Sequence, residues 1–179
     1  MQVHKVVVGS DIHFAEHHVG LWENFCKFIA DYKPEMVVLS GDIVDLGMLS
    51  KYTQHGSDPV NAIEQVKVAT REINRLMGHT QRIVLLIGNH DERWDKAVLG
   101  DNAQALYGSK GLSLEDQFRF QGLDPAAVWV RESKHCPGYT LGRNALIVQH
   151  GHVKPIGGKT PALAMLAAIP GISVLRGHL

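Results

Sequence analysis

Carboxylate and imidazole side chains follow five short apolar runs of this 179-residue sequence. These groups bind divalent transition-metal ions, and imidazole also transfers protons near neutral pH. Their repeated position just after an apolar run indicates a metal-dependent reaction at one site. The five clusters are GSDIH at 9–13, SGDIVD at 40–45, GNHDE at 88–92, QHGH at 149–152 and RGHL at 176–179.

Each cluster taken alone also has an ordinary structural explanation. A carboxylate such as Asp42, placed after a strand and a glycine, is usually only part of a turn. Asp11 near His13 is usually a capping residue beside a surface histidine, but if the strand continues that far, both leave the same face and can bind one ion. Single histidines such as His150 and His178 are more often structural. The metal-site hypothesis therefore depends on the whole set.

The apolar runs read as buried strands, because they are continuous instead of alternating with polar residues. Between the first three runs, apolar residues recur at helical spacing, which predicts an α/β fold with a β-α-β-α-β order. The carboxyl ends of the strands in an open α/β sheet lie at one edge, so the five clusters are expected to converge there. The predicted strands are 6–8, 36–39, 83–87, 145–148 and 172–175, and the helical residues are Leu21, Phe25, Phe28 and Ile29, then Ile63, Val66, Ile73, Leu76 and Met77.

Weaker patterns predict further elements in a single domain that spans residues 1–179. Thr160 and Pro161 can begin a helix over 160–168, which Pro170 and Gly171 then end. Two short runs separated by a glycine-containing connection, 139–141 and 145–148, predict a hairpin. The remaining predictions are helices at 102–107 and 114–121 and a strand at 128–131.

Composition and charge bear on the partners and the location expected for the protein. The 18 basic and 18 acidic residues give a formal net charge of zero, so charge offers no support for a nucleic-acid partner or an acidic membrane surface. No apolar run reaches bilayer length and the first residues lack a signal-peptide pattern, so a cytoplasmic protein is expected. Cys26 and Cys136 are too few for a disulfide framework and are expected to be small buried apolar residues. Nothing in the sequence sets the oligomeric state.

In order and spacing, the clusters D-x-H, G-D-x-x-D, G-N-H-D, H-G and G-H resemble the signature of calcineurin-like metallophosphoesterases, particularly the small bacterial or phage-type members. The likeness runs from Asp11 to His178, almost the whole chain. It implies a layered fold of β-sheets flanked by helices and a dinuclear metal centre. It also implies that Asp11 and His13 bind the first ion, that Asp42 bridges both ions, and that Asn89, His150 and His178 bind the second.

The same resemblance implies roles for further side chains. His90 matches the family's catalytic histidine and Asp45 its acidic partner, whereas His152 is expected to contact substrate or to support a ligand. Leu46 stands where protein Ser/Thr phosphatases usually carry a phosphate-binding arginine, which disfavours a phosphoprotein substrate. The family's last motif normally reads G-H-x-H. With the chain ending at Leu179, the domain is expected to be incomplete there and its first metal site to keep three ligands.

The expected function is that of an enzyme, a metal-dependent hydrolase of phosphate monoesters or diesters. Two divalent ions, with Mn, Fe or Zn favoured by the mixed nitrogen and oxygen donors, would hold a bridging hydroxide that attacks the phosphate-ester substrate. A nuclease of the same family is one alternative, and a non-catalytic scaffold of the same fold is the other. Substrate contacts are expected from segment 95–138, whose basic residues either bind phosphate or, more commonly, form a solvated face. These residues are Lys110, Arg119, Arg131 and Lys134.

Overall fold

The computed structural model describes residues 5–50, 61–100, 110–133, 136, 138–142, 146–152 and 173–178. The predicted helices at 102–107 and 160–168 lie outside the described residues. The described elements form two β-sheets with helices against the first, which confirms the α/β prediction. No helix in these ranges combines the length and apolar character that crossing a bilayer requires.

Four parallel strands form the first sheet, in the order β1 (Val6–Gly9), β2 (Met36–Ser40), β3 (Arg82–Leu86) and β4 (Val128–Val130). The sequence predicts all four. Every residue of β2 is buried, as expected for a continuous apolar strand between two layers. β1 is only partly buried along its length, so the prediction of full burial is wrong there. The reason is that β1 lies at the edge of the described sheet and pairs with β2 alone.

Four helices accompany the first sheet, namely α1 (Val19–Tyr32), α2 (Ala62–Met77), α3 (Glu92–Leu99) and α4 (Leu114–Phe120), and a 3-10 turn spans Gly47–Leu49. The predictions for α1, α2 and α4 are confirmed. The larger core lies between helices and sheet, where Ile29 and Ile73 belong to one cluster with Val37. α3 is not predicted, because its eight residues include the buried, charged Asp95, which interrupts the apolar pattern. Cys26 is buried as predicted, but Cys136 is partly exposed, so its predicted burial is wrong.

A second sheet contains β5 (Tyr139–Leu141), β6 (Leu146–Gln149) and β7 (Ser173–Arg176). β5 is antiparallel to β6, which confirms the hairpin pairing, and β7 is parallel to β6 and less buried than predicted. The expectation that all five motif-bearing strands share one open sheet is wrong, because β6 and β7 belong to this second sheet.

Contacts between the two sheets bring the carboxyl ends of β2 and β6 together. Val148 of β6 packs with Val38 and Val84 of the first sheet. Beside them, the Ser40 hydroxyl donates a hydrogen bond of 2.8 Å to the Gln149 carbonyl oxygen. The motif residues therefore converge between two sheets instead of along the edge of one.

Candidate metal centre

The loops after β1 and β2 carry three predicted ligands in left-handed backbone conformations. β1 ends at Gly9, so the strand does not continue to Asp11 and His13, and the condition for their projecting from one strand face is not met. Their φ angles are 54° and 55°, and that of Asp42 is 51°. The Asp11 and His13 amides donate hydrogen bonds to the carbonyl oxygens of Gly41 (3.2 Å) and Asp42 (3.0 Å). These bonds hold the two loops side by side.

The non-glycine residues with a left-handed backbone conformation are concentrated in the motif loops. Six such residues are described, and the one that lies elsewhere is Lys33, which ends α1. Each costs on the order of 1–3 kcal/mol, and such strain accumulates at functional sites. Backbone conformation therefore marks the same loops as the sequence motifs do, by an independent criterion. The five residues in these loops are Asp11, His13, Asp42, Leu46 and His178.

Asp42 lies at the centre of the site, 2% exposed, with its two carboxylate oxygens facing different imidazoles. Oδ2 lies 3.8 Å from Nε2 of His13 and 4.0 Å from Nε2 of His90. Oδ1 lies 3.3 Å from Nε2 of His150 and accepts a hydrogen bond of 2.9 Å from the His90 amide. A carboxylate whose oxygens are divided in this way is suited to bridging two cations.

Two groups of potential ligands share Asp42. The first is His13, Asp42 and His90, and the second is Asp42, His150 and His178. Within each group, one ligand atom per residue lies within 4.8 Å of the others. Nδ1 of His13 is buried and lies 3.3 Å from Oδ1 of Asp45, but it makes no hydrogen bond to the described residues. Mixed nitrogen and oxygen donors at this spacing fit divalent transition-metal ions.

The structure brings the six predicted ligands together between the two sheets but does not group them as predicted. Asn89 joins the second group, because its Oδ1 lies 3.0 Å from Nε2 of His150. The carboxylate of Asp11 instead accepts hydrogen bonds from the preceding serine hydroxyl and, over 3.2 Å, from the His178 amide. In the first group, His90 takes the place for which the sequence predicts Asp11. The individual ligand roles remain predictions.

His90, the predicted catalytic residue, has hydrogen-bond partners at both ring nitrogens. Nδ1 lies 2.9 Å from the carbonyl oxygen and 3.1 Å from Oδ1 of Asp45, its predicted partner. On the other side, Nη2 of Arg93 lies 3.0 Å from Nε2. Because a guanidinium can only donate, Nε2 accepts this hydrogen bond. The imidazole proton therefore resides on Nδ1, where the Asp45 oxygens accept it.

Sequence reasoning missed the structural role of Asp91. Its carboxyl group is 1% exposed and accepts hydrogen bonds from the amides of Ile43 (3.2 Å), Val44 (3.0 Å) and Gly88 (2.8 Å). It thereby joins the loop after β2 to the loop after β3. Burial raises its pKa to about 7, although the three backbone donors oppose the rise. The sequence does contain one sign of this role, because a turn would explain Gly-Asn but does not require the carboxylate of Asp91 after Gly-Asn-His.

A second missed carboxylate, Glu132, supports the ligand loop after β6. It follows β4, and its oxygens accept hydrogen bonds from the amides of His150 and Gly151, the latter over 3.1 Å. Burial raises its pKa, although both amides favour the charged form. No sequence motif marks Glu132, because its partners are backbone amides 18 and 19 residues away.

His152 falls in neither ligand group. Its Nε2 lies 3.0 Å from Oε1 of Glu92, the first residue of α3. Burial works to raise the pKa of Glu92, but hydrogen bonds from His152 and Lys96 outweigh it and lower the pKa to about 2. His152 thus joins the loop after β6 to α3, and its substrate contact remains a prediction.

The charged forms of Asp42 and His150 stabilise each other. Burial works to raise the pKa of Asp42, but hydrogen bonds from the His150 side chain and the His90 amide outweigh it and lower the pKa. Burial likewise works to lower the pKa of His150, but the Asp42 carboxylate outweighs it and raises the pKa. The carboxylate is therefore ionised, and a bound cation would replace the imidazole proton as its partner.

Gly41 and Gly88 leave space that the ligands fill. A Cβ atom at Gly41 would lie 2.5 Å from the His150 ring, and one at Gly88 would lie 2.2 Å from Oδ1 of Asp42. Gly41 also has a φ angle of 85°, which confirms the prediction that a glycine turns the chain tightly after β2. Both glycines are thus required by the close approach of ligand side chains.

A cleft of about 350 Å³ opens beside Asp11. His17 and His18 line it together with the rings of Trp22 and Phe25. His18 also begins α1, where its Nδ1 accepts a hydrogen bond of 3.2 Å from a helix amide. His18 therefore both borders a cavity at the site and caps a helix.

Two basic residues expected near substrate have other partners. Arg131 pairs with Asp95 over 2.6 Å and with Glu115. Arg119 donates hydrogen bonds to main-chain carbonyl oxygens after α4, including that of Ala127 at 2.7 Å. Both therefore stabilise the fold around α4, whereas Lys134 lies outside the described residues.

Comparison with known proteins gives one family match. A family model described as calcineurin-like phosphoesterase matches residues 4–178. The matched range begins before the first cluster and ends at His178. No curated protein matches the chain.

Proposed function

The chain belongs to the calcineurin-like phosphoesterase family, and we propose that it hydrolyses phosphate monoesters or diesters with two divalent metal ions. The donor types favour Mn, Fe or Zn. The division of the Asp42 oxygens between two groups of imidazoles is the observation that carries the proposal. Such ions, when bound, activate water and neutralise phosphoryl oxygens that gain charge during displacement.

Residues of the chain have distinct tasks in this proposal. His90 would donate from Nε2 to the leaving or phosphoryl oxygen, because Nε2 lies on the side of Asp42 and the ring is fixed through Nδ1 by Asp45. This role requires that Arg93 release Nε2 and that Nε2 take up a proton from water. Asp91 and Glu132 position ligand loops through backbone amides. The metal ligands are divided into two sets. Asp11, His13 and Asp42 would hold the first ion, and Asp42, Asn89, His150 and His178 would hold the second. His90, which lies with His13 and Asp42 in the first group, is assigned to substrate instead of to an ion.

The proposal is tested by loading the protein with Mn²⁺, counting bound ions, and following hydrolysis of 4-nitrophenyl phosphate and bis(4-nitrophenyl) phosphate. We expect two ions per chain and turnover that a chelator abolishes. His150→Ala should remove turnover, because this buried imidazole lies 3.3 Å from Asp42. His79→Ala is the matched control, since His79 is an exposed histidine outside the motifs.

The alternatives give different results in the same assays. A protein that binds two ions and hydrolyses neither ester would contradict the hydrolase proposal and favour the scaffold alternative. Cleavage of single-stranded DNA or RNA without turnover of the small esters would favour a nuclease. Full activity with one ion per chain would contradict the proposal of two metal ions but not the proposal of a hydrolase.

A further inference from the structure

Arg93, in the first turn of α3, extends its guanidinium to the predicted catalytic pair. Nη1 donates a hydrogen bond of 2.8 Å to the Asp45 carbonyl oxygen, and Nη2 donates one of 3.0 Å to Nε2 of His90. The guanidinium therefore lies between the loop after β2 and the loop after β3. Arg93 directly follows the GNHDE cluster and belongs to none of the predicted sites.

Arg93 differs in its partners from three arginines that form ion pairs. Arg71, Arg75 and Arg131 each pair with a carboxylate, at 2.9, 2.7 and 2.6 Å. Within the described ranges, Arg93 makes no ion pair, and its two acceptors are a carbonyl oxygen and a neutral imidazole nitrogen. A charged phosphate oxygen is a stronger acceptor than either. The positive charge of Arg93 is therefore available to an anion.

Nearby side chains increase the need for such a charge. The carboxylates of Asp11, Asp45 and Glu92 lie in the loops and helix around the site and repel an anionic substrate. Lys96, on the same helix as Arg93, pairs with Glu92 over 2.7 Å. A guanidinium also carries several N–H donors, so Nη2 can bind a phosphate oxygen while Nη1 keeps its hydrogen bond to the Asp45 carbonyl oxygen. Arg93 thus has both the charge and the donor that phosphate binding requires.

We propose that Arg93 binds a non-bridging oxygen of the substrate phosphate, and this inference rests on the proposed hydrolase function. Nη2 leaves Nε2 of His90 for the phosphate oxygen, while Nη1 stays on the Asp45 carbonyl. The exchange removes the Arg93 hydrogen bond from Nε2 of His90 when substrate binds, so one side-chain movement couples phosphate binding to the surroundings of the predicted catalytic imidazole. A monoester offers more negative charge than a diester, so Arg93 makes phosphate monoesters the preferred substrate class.

The test combines binding and kinetics on Mn²⁺-loaded protein. Calorimetric titration with inorganic phosphate should give a dissociation constant that rises on the order of 10- to 100-fold in Arg93→Met, which keeps side-chain length and loses the charge. KM for 4-nitrophenyl phosphate should rise more than KM for bis(4-nitrophenyl) phosphate. Arg93→Lys should retain part of the affinity. Arg82→Met, at an exposed arginine that begins β3 at the far end of the sheet, should leave phosphate binding unchanged.

Each result decides a separate question. Guanidinium ion should restore phosphate binding to Arg93→Ala, provided that circular dichroism matches the wild type. A lower kcat with unchanged phosphate affinity and no rescue would overturn the proposal, because Arg93 would then only position His90. An equal loss of phosphate affinity in Arg82→Met would also overturn the proposal, because the loss would then reflect the net charge of the protein and not the position of Arg93. If the wild type hydrolyses neither ester but Arg93→Met alone loses phosphate affinity, the binding inference stands and the hydrolase proposal fails.

Discussion

The two ligand groups that share Asp42 are supported in different ways. On the side of the first sheet, backbone hydrogen bonds join the loops after β1 and β2, and the buried carboxyl group of Asp91 joins the loops after β2 and β3. On the side of the second sheet, His150 is fully buried and its Nδ1 lies 2.8 Å from the Ser40 carbonyl oxygen. His178 is exposed and is linked to the first sheet through its amide and Asp11.

The first ligand group is therefore held by hydrogen bonds within the loops of one sheet. The second ligand group depends on contacts between the two sheets. The first group is fixed by amides of its own loops, so it needs little rearrangement when an ion binds. The second group depends on side chains from other elements, Glu132 above all. We therefore expect the first ion to respond to changes in fold stability and the second to changes at the interface between the sheets.

The largest effect should come from Asp42→Asn, because this residue belongs to both groups. Loss of the bridging charge should remove both ions and lower kcat/KM on the order of a thousand-fold, since bound ions supply several kcal/mol of transition-state stabilisation. Metal counting and ester hydrolysis measure the two effects. Asp31→Asn, an exposed carboxylate on α1, is the control. Retention of one tightly bound ion would mean that the groups are independent.

Asp91→Ala should have the next largest effect, on stability. Three buried amides would lose their acceptor, at a cost of about 1 kcal/mol each, so the free energy of unfolding should fall by about 3 kcal/mol in urea titration. Asp91→Asn keeps one acceptor oxygen and should lose less. An unchanged free energy of unfolding would contradict the view that the first group is built by its own backbone.

The smallest effect should come from Glu132→Ala, on the second ion only. Removing a residue that orients a ligand loop typically weakens metal binding by at least roughly 10-fold. Glu132→Gln keeps an acceptor for the amides and should weaken binding less, and Glu64→Gln, at an exposed pair with Lys67, should change nothing. Titration with Mn²⁺ resolves the two ions. If the affinity for the first ion fell by the same factor, the two ligand groups would not be supported in different ways.

The strands that carry the motifs are predictable because each is a continuous apolar run followed by polar ligands. The division into two sheets is not, since the pairing of β6 with β5 and β7 is decided by distant partners. The grouping of Asp11 also escapes prediction, because its position depends on a φ angle of 54° that no local pattern specifies. Glu132 escapes for a related reason, since it binds backbone amides, which leave no trace in residue types. Asp91 also binds backbone amides, and its only sequence signal is its place after Gly-Asn-His.

The left-handed backbone of the ligand loops has a consequence for laboratory evolution. Glycine adopts positive φ without the steric cost that a Cβ atom brings, so it would relax the chain at positions such as 11, 13 and 178. A library screened only for resistance to heat would therefore drift toward glycine at the residues that supply donor atoms. Variants recovered from such a screen would melt later and bind metal worse, and a screen for useful variants of this protein has to select for both properties at once.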